Sequence, residues 1–295
     1  MRDIGLFDGT FMHQVSCGLG GDLNGEGSRN IRWMRGQHLP ITFYTDTNLE
    51  LAIDKPSDER SIAWLLEPRC FSETHYENAE RMLEHGYFQY VITHEYYLAM
   101  NFPGFLWCPV GGAWVYSDPL VVKSENISMI ISEKVRTEGH KLRLEIKKAI
   151  EEVGLPVDFW GRGVKPMKSK DEALKPYRFS IVVESCKIDG YFTEKLIDCF
   201  LSRTVPLYWG DNTISQIFNP GGMFELSADF EFHSINELLE LIRILDTHNP
   251  IAREAHDYFY RRAHPSLLEN AIIAQDYMCP EDWMWKNLPQ VFDHD

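Results

Sequence analysis

Glu194 and Lys195 stand together at the start of a predicted helix that is otherwise almost entirely apolar. Thr193 precedes them and can cap that helix, because its hydroxyl accepts a hydrogen bond from a first-turn amide. Such a helix start attracts anions, and the lysine adds a full positive charge for a diphosphate. The adjacent carboxylate could accept hydrogen bonds from sugar hydroxyls. Glutamate also favours helix starts in general and lysine can extend to solvent, so a structural role stays open from spacing alone.

Two glutamates in the first half of the chain follow apolar strands and could act as a general base. Glu67 ends the run SIAWLLE, and Glu95 follows the run YVITH. A base of this kind takes the proton of an attacking hydroxyl, and partial burial beside Trp64 and Leu66 would raise the pKa of Glu67 toward neutrality. We predict that Glu67 is the base and that Glu95 is its rival. Alternatively, Glu67 marks a strand-ending turn and Glu95 belongs to a satisfied polar pair.

Short apolar runs alternate with helical patterns along the chain, which is typical of parallel α/β sheets. Strands are predicted at IGLF, PITFYTD, SIAWLLE, YVITH, FLWCPV, ISMIIS, VDFWGRG, FSIVVES, VPLYWG and MFEL. Helices are predicted at EGSRNIRWMRGQ, THYENAERMLEHG, TEGHKLRLEIKKAIEEVG, TEKLIDCFLSR, ISQIF, INELLELIRILDT and IAREAHDYFYRRA. The glycine-rich stretch 18–27 is predicted as a loop that opens the first of these helices.

The polar, proline-containing stretch Val115–Ser128 is predicted to link two doubly wound domains. We predict an acceptor-side domain over residues 1–122, a donor-binding domain over 123–270, and a tail over 271–295 that packs back on the first domain. Two such domains facing each other would bind ligands in a cleft at the carboxyl ends of both sheets.

Composition narrows the class of protein. A formal net charge of −15 over 295 residues argues against a general nucleic-acid binder, and an anionic ligand would need a local positive pocket. No apolar run approaches the roughly 20 residues of a membrane span, and the N-terminus has no apolar signal region. Six scattered cysteines without a CxxC pair predict reduced thiols. We therefore expect a soluble, cytoplasmic protein.

The region around the Thr-Glu-Lys helix start resembles the α1,3/α1,4-fucosyltransferase family. That family has a Tyr-x-Phe…Phe-Glu-Asn strand, a Tyr-x-Thr-Glu-Lys helix start, a Pro-x-Tyr-x-Gly strand and an Asn-Pro segment. The positions that fit, in order, are Tyr177, Phe179, Glu184, Tyr191, Thr193, Glu194, Lys195, Pro206, Tyr208, Trp209, Gly210, Phe218, Asn219 and Pro220. Upstream, ISMIISEKVRTEGHKLRLEIKKA is similar to the family's strand and arginine-bearing helix, with Arg143 on that arginine. The match covers about a third of the chain.

The resemblance implies a GT-B fold and inverting transfer of L-fucose from GDP-fucose to a glycan hydroxyl. It implies no required cofactor and no metal held by Asp-x-Asp, a motif found here only at 293–295. By resemblance, Lys195 and Arg143 bind the diphosphate, and we expect both side chains to reach solvent. Tyr191 and Glu194 would hold ribose or fucose, and the family's base lies at a place comparable to Glu67. The apparent lack of an anchor fits bacterial or viral members better than Golgi enzymes.

Some donor and acceptor contacts stay open. By resemblance, Glu184, Ser185 and Thr193 complete the donor-binding set, but Ser185 stands where the family has an asparagine near the sugar. Another GDP- or UDP-sugar is therefore an alternative donor. Arg162, between two glycines, could contact the nucleotide or serve as a turn arginine. Aromatic platforms for an acceptor sugar could come from Trp33, Trp107, Trp114, Tyr96 and Tyr97. A non-catalytic module that binds a sugar nucleotide or glycan is the alternative of another class.

Overall fold

The computed structural model describes residues 1–9, 27–118, 120–226, 232–246 and 250–292. The chain divides into two compact units. Unit 1 comprises Met1–Ala113, Ile188–Glu194 and Asp276–Asp295, and unit 2 comprises Trp114–Lys187 and Lys195–Gln275. These bounds differ from the predicted ones mainly in the short segment Ile188–Glu194, which lies in the middle of the predicted donor domain and belongs to unit 1.

The described residues of unit 1 form a six-stranded parallel sheet with the strand order β2-β1-β3-β4-β5-β6. The strands are β1 (Arg2–Phe7), β2 (Ile31–Arg35), β3 (Ile41–Thr45), β4 (Arg60–Trp64), β5 (Tyr90–Thr93) and β6 (Phe105–Trp107). A 3-10 helix (Asp46–Asp54) follows β3, and the helices α1 (Glu73–Glu84) and α2 (Tyr96–Asn101) follow β4 and β5. Two C-terminal helices, Pro280–Asn287 and Pro289–Phe292, also belong to this unit.

Both faces of this sheet are covered, because successive residues of a strand point to opposite faces. Phe43 and Trp64 pack in one buried cluster with the C-terminal helices, where the rings of Phe43 and Phe292 stack at 6.1 Å. Tyr44 and Ala63 pack in a second cluster with α1 and the 3-10 helix. A strand buried on both faces reads as a continuous apolar run, which is why β3 and β4 are recognisable from sequence.

The predicted helix EGSRNIRWMRGQ is wrong, because its centre is the edge strand β2. Ile31 and Trp33 are buried while Arg32 between them is exposed, which is the two-residue period of a strand. β2 pairs in parallel with β1, and Trp33 donates a hydrogen bond to the buried Glu281 carboxylate at 3.0 Å. The predicted glycine-rich loop 18–27 lies, apart from Gly27, outside the described residues.

The described residues of unit 2 form a five-stranded parallel sheet with the strand order β11-β10-β9-β7-β8. The strands are β7 (Glu125–Ile130), β8 (Asp158–Trp160), β9 (Tyr177–Val183), β10 (Val205–Trp209) and β11 (Phe224–Glu225). The helices are α3 (Glu138–Val153), α4 (Asp171–Leu174), α5 (Glu194–Leu201), α6 (Phe232–Ile244) and α7 (Pro250–Ile273). Each of these strands was predicted, with ends that differ by a few residues.

Helix α3 has the ends that its sequence predicts. The Thr137 hydroxyl accepts from the His140 amide, and Gly154 ends the helix in the left-handed conformation at φ 68°. Helix α7 is longer than predicted and continues through Pro265, with Leu267 and Ala271 buried in its second half.

Helix α5 is buried on almost every side, as its apolar sequence predicts. It starts at Glu194. Beyond the Glu194–Lys195 start, its buried centre contains one charged residue, Asp198. The Asp198 carboxylate accepts a hydrogen bond from the Trp114 amide at 2.7 Å and lies 2.8 Å from the Lys170 ammonium. These two partners satisfy a charge that would otherwise be costly to bury.

The cysteines follow the predicted reduced state only in part. Cys108 and Cys199 are buried free thiols, whereas Cys70 and Cys186 are disulfide-bonded, so the prediction is wrong for these two. Among the described residues, no helix is long and apolar enough to cross a membrane.

Candidate active site

The carboxyl ends of the unit 2 strands gather only the part of the predicted donor-binding set that lies in unit 2. All strands of this sheet are parallel, so the segments that leave β7, β8, β9 and β10 emerge at one edge. Open α/β sheets bind ligands at this edge. Glu184 and Ser185 follow β9 directly, and Arg162 follows β8 in a turn between Gly161 and Gly163. Arg162 is exposed there.

Lys195 and Glu184 form an ion pair at this edge, with 3.0 Å between the Lys195 ammonium and the Glu184 carboxylate. Glu184 is fully buried, while the Lys195 side chain keeps 26% of its surface exposed. A Cβ atom at Gly210 would lie 2.7 Å from Cζ of Tyr208 and 2.8 Å from Cγ of Glu184, so the glycine after β10 leaves room for both side chains. The pair holds the lysine ammonium in one place, while part of the lysine side chain stays exposed.

Arg143 is brought to the same edge by a close approach of α3 to the end of β9. The Gly139 amide donates to the Ser185 carbonyl at 3.1 Å, and a Cβ atom at Gly139 would overlap the Glu184 carbonyl oxygen. One turn later, Nε of Arg143 donates to the Val183 carbonyl at 3.0 Å. Arg143 is only 7% exposed, so the expectation that it reaches solvent is wrong. Its guanidinium is anchored to the strand end instead.

His140 lies close to several cations at this edge of the sheet. Burial lowers the pKa of His140 to about 4, so the ring is neutral at pH 7. Nearby cations lower this pKa further, and they are Arg143, Lys134, Lys195 and Arg136. Four cations thus lie near His140 at the edge where the diphosphate site is predicted, in a chain whose formal net charge is −15.

We expect GDP to raise the pKa of His140 from about 4 toward its ordinary 6.5. A bound diphosphate would offset the surrounding cations and thereby stabilise the protonated ring. The measurement is an NMR pH titration of the imidazole signals with and without saturating GDP, with the H140Q variant identifying the signal. A His140 pKa that stays unchanged at saturation would place the diphosphate elsewhere.

Tyr191, Thr193 and Glu194 belong to the segment of unit 1 that precedes Lys195 in the chain. Gly190, at φ 89°, lets this segment approach closely, because a Cβ atom there would lie 2.6 Å from the His94 carbonyl oxygen. Trp107 Nε1 donates to the carbonyls of both His94 and Gly190, at 3.1 and 3.3 Å. Thr193 is fully buried and forms a β-bridge with Gly111.

The Tyr191 ring is 3% exposed and lies 4.8 Å from the His94 ring. Burial lowers the pKa of His94 to about 3, so this neighbour is neutral at pH 7. The His94 Nε2 atom lies 3.2 Å from the hydroxyl of Tyr76 on α1. Tyr191 is thus fixed against the end of β5, and Glu194, which is 8% exposed, follows three residues later.

The two candidate bases differ in their surroundings. Glu95 is buried and accepts from the Arg69 guanidinium at 3.1–3.3 Å, and Arg69 also pairs with Glu73 at 2.5 Å. Burial raises the pKa of Glu95, and the Arg69 charge opposes that rise. Glu67 follows β4 and is half-buried. The ion pair of Glu95 with Arg69 favours a structural role for Glu95, and the role of Glu67 as the base stays a prediction.

The aromatic candidates for an acceptor platform differ in how far their rings are exposed. Trp33 lies in the core, and Trp107 is occupied in holding the 188–194 segment, so neither is a free platform. Tyr96 is half-buried beside the Trp107 ring at 4.7 Å, whereas Tyr97 and Trp114 are exposed. Exposed rings of this kind can accept the apolar face of a sugar.

Sequence reasoning missed several residues that shape these surroundings. Arg69 pairs with Glu95, which lies 26 positions further along the chain. The Asp46 carboxylate accepts hydrogen bonds from the amides of Leu66 and Glu67. The signal available for Asp46 was its place directly after the apolar strand β3, at the same sheet edge as Glu67.

Comparison with known proteins shows which family this chain is similar to. Residues 121–285, more than half of the chain, match the model of "Glycosyltransferase family 10 (fucosyltransferase) C-term". An alpha-(1,3)-fucosyltransferase of Helicobacter pylori is 30% identical over 129 residues, which are 37% of this chain and 26% of that protein. A putative fucosyltransferase of Acanthamoeba polyphaga mimivirus is 32% identical over 80 residues, which are 27% of this chain and 13% of that protein. The matches thus span about a quarter or less of these relatives.

Solved structures show the fold class. A crystal structure of an alpha1,3-fucosyltransferase with GDP-fucose superposes with a TM-score of 0.53 at 15% identity, covering 94% of this chain and 90% of that chain. TarM superposes with a TM-score of 0.56 at 12% identity, covering 86% and 55%. The protein has the GT-B fold predicted from its sequence. Together with the match over residues 121–285, this shows that the chain belongs to glycosyltransferase family 10, the fucosyltransferases.

Proposed function

We propose that this protein is an inverting glycosyltransferase that moves L-fucose from GDP-fucose to a hydroxyl group of a glycan. The observation that carries the proposal is the Lys195–Glu184 pair, 3.0 Å apart at the end of β9 and inside the region of the family match. Donor binding in unit 2 is supported further by the anchored Arg143 and by the cations around His140.

In this proposal Lys195 and Arg143 stabilise the diphosphate as it leaves. Charge builds up on the leaving phosphate oxygen in the transition state, and preorganised cations favour that state over the ground state. Glu184 holds the lysine at a fixed position, so little reorganisation is needed during the reaction. We assign the remaining donor contacts to Ser185, Tyr191, Thr193 and Glu194, with Arg162 as a further contact of the nucleotide.

The reaction is a single displacement at the anomeric carbon of the donor sugar. The Glu67 carboxylate takes the proton of the acceptor hydroxyl, and the acceptor oxygen forms a bond to the anomeric carbon from the face opposite the nucleotide. The bond between that carbon and the phosphate oxygen breaks, and GDP leaves with the electron pair. We propose that no cofactor is required.

A panel of sugar nucleotides tests this function. We expect GDP-fucose to raise the melting temperature more than UDP-sugars do, since a ligand that binds the folded state stabilises it by mass action. We also expect slow hydrolysis of GDP-fucose alone, faster release of GDP when glycan acceptors are added, and retained activity in EDTA.

Each alternative has its own outcome in the same panel. A clear preference for UDP-sugars, or for another GDP-sugar, would overturn fucose as the donor and point to Ser185, where the family has an asparagine. Stabilisation by GDP-fucose without hydrolysis or transfer to any glycan in a broad acceptor set would favour a non-catalytic binding module.

A further inference from the structure

Asp46 stands at the point where β3 ends, and its backbone is unusual. Its φ is +41°, and among the residues that the structure describes only Asp46 and Arg203 are non-glycine residues with positive φ. This left-handed region is unfavourable for most side chains and is occupied mainly by glycine, with asparagine and aspartate among the side chains that enter it most readily. Asp46 is also 1% exposed, so its carboxylate is buried in a turn that few residue types can form.

The Asp46 carboxylate holds the chain that leaves the neighbouring strand. β3 and β4 are parallel neighbours with Thr45 opposite Trp64, which places Asp46 beside the residues that follow β4. Its Oδ1 atom accepts the amide of Leu66 at 3.0 Å and the amide of Glu67 at 3.3 Å. Two amide donors converge on one carboxylate oxygen directly at the candidate base.

Glu67 is held on its other side as well. The Tyr76 hydroxyl donates to the Glu67 carbonyl at 3.1 Å. The amide and the carbonyl of Glu67 therefore each have a buried side-chain partner. The amide is held by Asp46, directly after β3, and the carbonyl by Tyr76 on α1. Because a general base must lie within hydrogen-bond reach of the proton it takes, a fixed backbone limits the error in its position.

We propose that Asp46 is a positioning residue for Glu67, holding the base-bearing segment through the amides of residues 66 and 67. This inference rests on the proposed function, in which Glu67 is the base. The left-handed conformation of Asp46 fits this role, because in that conformation its carboxylate accepts the two amides at the end of β4. Glycine would adopt the same conformation but supply no acceptor.

The test compares D46G with D46N. Glycine adopts φ +41° without strain, so D46G removes the acceptor while sparing the backbone. Asparagine also tolerates this conformation and keeps an oxygen acceptor for both amides. We expect D46G to lower kcat by roughly 10- to 100-fold, since misplacement of about 1 Å costs up to about 100-fold. We expect D46N to keep kcat within about threefold, and the KM for GDP-fucose and the thermal shift with GDP to stay near wild type in both variants.

The double variant D46G/E67Q distinguishes positioning from a general structural role. If Asp46 acts through Glu67, adding D46G to E67Q should cause little further loss, because the base is already absent. A further loss of the same 10- to 100-fold would overturn the proposal, as would a D46G enzyme with wild-type kcat or an equal loss of kcat in D46N. If D46G does not fold, D46S takes its place, and its single, shorter acceptor should give a kcat between those of D46N and E67Q; a wild-type kcat would again overturn the proposal.

Failure of the inference and failure of the proposed function give different results. If E67Q itself keeps full activity, Glu67 is not the base, and both the assignment and the role of Asp46 fall. If E67Q is inactive while D46G is fully active, the base assignment stands and only the positioning role is overturned.

Discussion

Replacing Glu67 by glutamine should lower turnover by about 10²–10⁴ while donor affinity stays near wild type. Glutamine keeps the shape of the side chain but cannot take a proton. The backbone contacts to Asp46 and Tyr76 do not involve the carboxylate, so these contacts should be retained. The measurements are steady-state kinetics with GDP-fucose and an accepted glycan, and thermal shift with GDP.

The pH dependence gives a second readout of the same substitution. A general base acts in its ionised form, so wild-type activity should rise with pH as the carboxylate loses its proton. The E67Q variant should lose this rising limb. An unchanged pH profile at unchanged turnover would remove Glu67 from the mechanism.

E95Q is the matched control for E67Q. Glu95 is buried against Arg69, so this variant weakens an ion pair and leaves the arginine partly compensated by Glu73. We expect lower thermal stability and only a modest change in turnover. The opposite pattern, with E95Q inactive and E67Q active, would make Glu95 the base.

Removal of the Lys195 charge should weaken GDP-fucose binding by roughly 10- to 100-fold, because a charge-assisted contact contributes about 1.5–3 kcal/mol. K195A alone is a poor test. Glu184 is fully buried, and loss of its lysine partner would leave a buried charge, which commonly costs about 3–5 kcal/mol of stability. Affinity and folding would then change together.

The variants K195M, E184Q and E184Q/K195M separate these effects. The double variant removes both charges of the pair, so it should be more stable than K195M and still bind the donor weakly. The E184Q variant alone reports how much Glu184 contributes to donor affinity and stability. The K195R variant keeps the positive charge and should lose less affinity than K195M. Isothermal titration with GDP and thermal unfolding are the measurements. If E184Q/K195M bound GDP as tightly as wild type, the helix start would not be the diphosphate site.

Much of unit 2 is predictable because its elements are long and apolar. The runs FSIVVES and VPLYWG are buried strands, and α5 between them is buried almost all round. The Thr-Glu-Lys helix start is equally visible in the sequence. The strand β2 was predicted as a helix because its five residues, with Arg32 and Arg35 among apolar neighbours, fit both a helical and a strand pattern. Only the pairing of β2 with β1 decides between the two.

The sequence by itself determined the parallel α/β class, the order of most elements, the family resemblance and the residue types at the predicted donor site. Tertiary structure decided which of these residues hold one another. The pairing of Glu184 with Lys195, the anchoring of Glu95 by Arg69, and the reach of Asp46 to the amides of residues 66 and 67 join positions 11 to 26 apart. The membership of segment 188–194 in unit 1 depends partly on backbone carbonyls. Backbone groups are the same at every position, so such contacts leave no periodic signal in a sequence, and they form only when parallel strands bring their carboxyl ends to one edge.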